Sequence, residues 1–187
     1  MRLQLARLLF AALAVVAVTA TLADAQPIAP GAIPGVRGAS RDAVHLLEEL
    51  VARSGTARDL VEQLGRSDLV IFIRYEWFQA LTLRGRIGFL TSNARTRLVA
   101  IEVSSRQTRL AQLSSLGHEL QHAAEIAGAA SVHDARTLAA LYTSIGEPSG
   151  YPGAETYETA AAIAVGDRVR QELVAPAHRA DPAVSCR

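Results

Sequence analysis

The sequence predicts an α+β domain: a small antiparallel three-stranded sheet packed against one long helix and further helices. Two observations lead there. Helical periodicity occupies residues 40–65 and returns from Gln107 to Ala175, and three β-branched or aromatic runs lie between them, from Asp68 to Ser104. Helices, then strands, then helices, without regular βαβ alternation, is the order of an α+β fold.

Taken in order, the chain opens with "MRLQLAR", which carries two arginines, followed by the apolar run "LLFAALAVVAVTATL" and the small residues Ala23 and Ala25. That layout predicts a signal peptide over residues 1–25, cleaved after Ala25, and hence a secreted or periplasmic protein. No later segment is long and apolar enough to span a bilayer. Residues 26–39 are rich in Pro and Gly and read as a flexible linker. Val44, Leu47, Leu50 and Val51 then recur at helical spacing behind a capping Ser40, and "SGTARDLVEQLG" makes a second helix ending at Gly65. "DLVIFIRYEWF", "ALTLRGRIGFLTS" and "TRLVAIEVS" are the three strands, with "NAR" as the turn between the last two.

Beyond them, "QTRLAQLSSLGHELQHAAEIAG" is a long helix closed by Gly128. "SVHDARTLAALYTSIG" is a second, capped by Ser131 and stopped at Gly146, and "AETYETAAAIAVGDRVRQELVA" is a third. The domain therefore runs over residues 40–175, and residues 176–187 form a disordered tail.

Composition narrows the function. The chain has 187 residues, half of them hydrophobic, and a formal charge of +1. That fits one domain with a real core and excludes the basic excess of a nucleic-acid binder. Loss of residues 1–25 would remove Arg2, Arg7 and Asp24 and leave the remainder formally neutral, so no charged partner is implied. The single cysteine, Cys186, cannot make an internal disulfide.

The chemistry lies in "LGHELQHAAEIAG", residues 116–128. Side chains four apart on an α-helix are separated by about 40° around the axis, one turn up. His118 and His122 can therefore aim their imidazoles at one divalent ion. Glu119, one residue along, flanks that point and can take a proton from a water polarised by the metal. A catalytic zinc needs a third protein ligand and an open position. Glu158 is the first choice, placed on the last helix with Ala162, Val165 and Val169 continuing its inward face. Glu155, one turn earlier, is the second. Glu125, directly above His118 on the same helix, is the third and suits a role supporting a ligand better. His133, at a helix start, is a weaker fourth.

"HELQH" on one helix and "ETAA" on a later one together resemble the gluzincin-type zinc metallopeptidases, in their small secreted bacterial form. The resemblance covers roughly Leu83 to Leu173 and implies a minimal zincin-like fold. It implies His118, His122 and Glu158 as Zn2+ ligands and Glu119 as general base. It also implies an edge strand, here "RLVAIEVS", that aligns an extended peptide or protein substrate. The Asn and Asp that flank the third ligand in the best-known members are absent. Tyr142, Tyr151 and Tyr157 are possible donors to the oxyanion, with Tyr151 in the loop "EPSGYPG" preferred. The expected function is a secreted zinc hydrolase. The alternative is a non-catalytic periplasmic module that binds zinc or a partner on the same fold.

Overall fold

Side-chain caps set where each helix begins. In a computed structural model of the chain, which describes residues 35–149 and 156–175, α1 (Arg41–Arg53) starts at Ser40 and α2 (Gly55–Gly65) at Ser54. Thr108 caps α3 (Arg109–Gly128), Asp134 caps α4 (Ala135–Ile145) and Thr159 caps α5 (Ala160–Val174). Each capping oxygen accepts the backbone N–H three residues on, worth about 1 kcal/mol. The predicted cap of α4 moves from Ser131 to Asp134, because Asp134 and Thr137 form a reciprocal capping box that Ser131 lies too early to make. The signal-peptide residues 1–25, the tail with Cys186, and both Tyr151 and Glu155 lie outside the described residues.

The sheet corrects the expected three-stranded antiparallel one. Four strands, β1 (Gly35–Gly38), β2 (Leu69–Glu76), β3 (Gly85–Ser92) and β4 (Arg97–Ser104), stand in the order β1-β2-β4-β3. β3 and β4 are the antiparallel hairpin expected, but β2 runs parallel to β4, and β1 parallel to β2. The reason is burial. All eight residues of β4 are buried, as a strand covered on both faces and paired on both edges requires, whereas β3 is nowhere buried and contains two glycines. β4 therefore takes the inner place and β3 the edge. The proposed linker also needs correction: its residues Gly35–Gly38 form β1, held by pairing to Val70–Ile73. Their Gly-rich composition hid a strand whose stability comes from its neighbour.

One face of the sheet, with Ile71, Ile73, Val99, Ile101 and Val103, meets Leu46 and Leu50 of α1, Leu64 of α2, and Leu113, Leu116 and Leu120 of α3 in one core. Each such leucine contributes about 1.5–3 kcal/mol by leaving water. Buried Arg97, first residue of β4, ties the far end of α3 to the sheet. It pairs with Asp68 at 2.7 Å and donates to the carbonyl oxygens of Ile126 at 2.9 Å and Ala129 at 2.8 Å, where the helix leaves acceptors unpaired. α3 is thus a rigid, centrally packed rod. A two-stranded ribbon, β5 (Glu147–Pro148) with β6 (Tyr157–Glu158), leads into α5. None of the described helices is long and apolar enough to cross a membrane.

Candidate metal centre

His118, Glu119 and His122 follow from the register of α3. The face that buries Leu113, Leu116, Leu120 and Ala123 carries Glu119 and His122 with it, while His118 turns partly toward a cleft. The two imidazoles meet edge to face, 4.8 Å between ring centres. Glu158 reaches them from β6. The helix expected from Ala154 begins only at Ala160, because Thr159 caps it and Tyr157–Glu158 pair with β5. Glu158 therefore approaches from an extended segment and not along a helical face.

Its Oε2 atom lies 2.7 Å from His118 Nε2 and 3.7 Å from His122 Nε2. One donor atom from each of the three residues falls within 4.8 Å of the others. Donors on a four-coordinate zinc stand about 3.3 Å apart, so the observed separations bracket what such an ion requires. Glu158 Oε2 is buried, and no donor meets it with hydrogen-bond geometry. A buried carboxylate oxygen directed at two ring nitrogens suits either a proton shared with them or a cation held between them. Two imidazoles and a carboxylate are a donor set for zinc or another first-row divalent metal.

Electrostatics agree with that geometry. Burial pushes the Glu158 carboxyl up, but the imidazoles of His118 and His122 outweigh it and hold the group down to about 2. For His122, burial disfavours the imidazolium, yet Glu125 and Glu158 beside it raise the ring to about 9. Without a cation the cluster is one in which protons take the place of positive charge.

Glu125 stands against His122 and not at the open side of the cluster. Its Oε2 lies 2.9 Å from His122 Nδ1, and its Oε1 accepts the Thr159 hydroxyl at 2.6 Å. One carboxylate thus orients a ring on α3 and holds the residue next to Glu158, joining the two segments that supply the cluster. Tyr142 is excluded as an oxyanion donor: it is buried and donates to the His122 carbonyl at 3.1 Å. Tyr157 lines the cleft beside Glu158. His133 is exposed and bonds to Ser131 and Thr137, in keeping with a capping role.

The cluster opens into a cleft of about 890 Å³. Its walls are the start of β3 with the loop before it, α3, α4 and α5. The edge that borders the cleft is β3, not "RLVAIEVS": that segment is β4, enclosed between β2 and β3, and has no free edge to offer. Glu119 is buried at the foot of this wall. Burial raises its carboxyl to about 7, against a smaller opposite pull from the two imidazoles.

Two residues that sequence reasoning passed over shape the site. A Cβ on Gly85 would fall 2.7 Å from Glu119 Oε1, so any larger residue there would force that carboxylate to shift from its place against the edge strand. A Cβ on Gly166 would fall 3.2 Å from His118 Cβ and 3.4 Å from its Nδ1, so α5 closes on the ring through a bare backbone. The signal available was a glycine inside a helical pattern and one inside a strand pattern. Compared with protein-family models, curated proteins and solved structures, the chain matches none.

Proposed function

We propose that the chain is a secreted zinc-dependent hydrolase, acting as a metallopeptidase. The observation that carries the reading is the convergence of buried Glu158 Oε2 with the Nε2 atoms of His118 and His122, supplied by two separate elements. A Zn2+ held by these three residues would polarise a substrate carbonyl and lower the pKa of a water to about 7. The protein's own groups do the rest. Glu119, raised to about 7 by its burial, accepts the proton of the attacking water and returns it to the leaving amine. Glu125 fixes the His122 ring through Nδ1. The free edge of β3 offers backbone groups to an extended peptide next to Glu119. Among the described residues Tyr157, at the cleft wall, is a phenol placed to serve the developing oxyanion.

Metal content tests the ligand set. The wild-type protein should hold one zinc ion per chain, and His118→Ala and Glu158→Ala should each lose it while remaining folded. Zinc retained in Glu158→Ala would remove the basis of the reading. The second reading, a zinc-holding module without catalysis, is favoured by one observation: the Tyr142 hydroxyl, the most deeply placed phenol near the cluster among the described residues, is committed to a backbone carbonyl. Zinc-loaded protein that cleaves no member of a broad peptide library would select it.

A further inference from the structure

We propose that the loop of residues 77–84, between β2 and β3, docks the protein on an anionic lipid surface through Trp77 and Leu81. They are 65 % and 75 % exposed, the two most exposed large apolar side chains among the described residues. They flank a buried anchor. Phe78 is 6 % exposed and lies under the Arg86 guanidinium, 5.2 Å from its ring centre. A turn closed by Leu83 N–H to the Ala80 carbonyl shapes the rest of the loop. The loop is therefore built and held, and its two apolar side chains are left in water.

The surroundings select the partner. Arg106 stacks on Trp77 at 4.7 Å, Arg84 ends the loop, Arg86 follows it and Arg74 precedes it. Against these four cations stand Glu76 and Glu102, and Glu102 is buried and shared by Arg74 and Arg86. Arg84 and Arg106 form no ion pair among the described residues. The exposed charge at this end of the sheet is positive, complementary to anionic headgroups, which attract about 1 kcal/mol per nearby arginine. Trp is the side chain that best suits a bilayer interface, with an apolar body and one N–H donor. A protein partner fits less well, because two side chains do not build the ~800 Å² a stable interface needs on each side. The same loop contributes Ala80, Thr82, Leu83 and Arg84 to the cleft, so docking would bring the cleft mouth to the headgroups.

Trp77 is the only tryptophan in the chain, so its fluorescence reports on this loop alone. The full chain is titrated with vesicles of phosphatidylcholine alone and of phosphatidylcholine mixed with phosphatidylglycerol, some brominated in the acyl chains. The emission should shift to the blue and be quenched by bromine only with the anionic vesicles, and high salt should reverse it. Leu81→Ser should weaken partition roughly tenfold through lost apolar burial. Arg84→Glu should weaken it by about tenfold or more through reversed charge. Circular dichroism checks that both variants fold. Unchanged Trp77 emission while the chain sediments with vesicles would assign binding to another segment and overturn the proposal. Unchanged emission without sedimentation would overturn it too, leaving the loop as a lip for a protein partner. An equal response to neutral vesicles would overturn the anionic requirement.

Discussion

Glu102 and Glu119 are buried almost equally, at 4 % and 5 % exposure, and their charges behave in opposite ways. Burial pushes both carboxyls up. At Glu102, on β4, the guanidinium groups of Arg86 and Arg74 overcome it and hold the group below its usual range. At Glu119, on α3, there is no arginine, only the weaker pull of His122 and His118, and the carboxyl rises to about 7. One region neutralises a buried acid to stabilise the sheet. The other leaves a buried acid raised toward neutral pH, which suits the proposed role of taking and returning a proton.

The sharpest way to break this contrast is Glu119→Gln. Hydrolysis should fall about 10²–10⁴-fold while zinc content stays at the wild-type level, read by peptide turnover alongside metal analysis. Unchanged turnover would place Glu119 with Glu102, as a structural acid. Next is Glu125→Gln, which keeps the shape but weakens the grip on His122 Nδ1. Zinc affinity should drop about 10–100-fold in a chelator competition, with no change in fold by circular dichroism.

Glu102→Gln should lower stability by about 1–2 kcal/mol in urea unfolding near neutral pH. Two arginines lose a shared buried partner, but their own half-exposed heads are relieved by water. Because the folded carboxyl of Glu102 sits below its unfolded value of 4.5, its contribution is present above that pH and fades as pH falls. The variant should therefore lose its deficit in acid.

The smallest effect has the opposite sign. Glu119 has a folded pKa raised above the unfolded value, so its contribution is present below pH 4.5 and is lost as pH rises through about 7. In metal-free protein, Glu119→Gln should melt about 2–5 °C higher than wild type at pH 8 and show no advantage at pH 4. A variant less stable at pH 8 would mean that the ionised carboxylate has a partner that compensates its burial.

Much of the site was legible because its chemistry is local. His118, Glu119 and His122 fall on one turn of a helix whose period and end are written in Leu113, Leu116, Leu120 and Gly128. Glu125 followed from the same period. Glu158 was legible as a residue but not as a position. The Ala-rich sequence around it predicts a helix, whereas pairing with Glu147 and the Thr159 cap keep it extended. Gly85 and Gly166 stood out only as glycines inside a strand and a helix pattern; the side chain each would crowd arrives from another element.

The sheet shows the same division. The sequence alone determined the three long strands β2, β3 and β4 and that β3 and β4 would form a hairpin, because alternation and turn residues act over a few positions. It also determined that five helices would form, through their apolar period, though not where α4 and α5 begin. Only the tertiary structure decided that β4 would be central, that β2 would lie parallel to it, and that a Gly-rich stretch would become β1. Those choices depend on which neighbour offers hydrogen bonds and cover to each strand. Periodicity is a property of one segment, whereas pairing and close approach belong to two, and the second segment lies far along the chain.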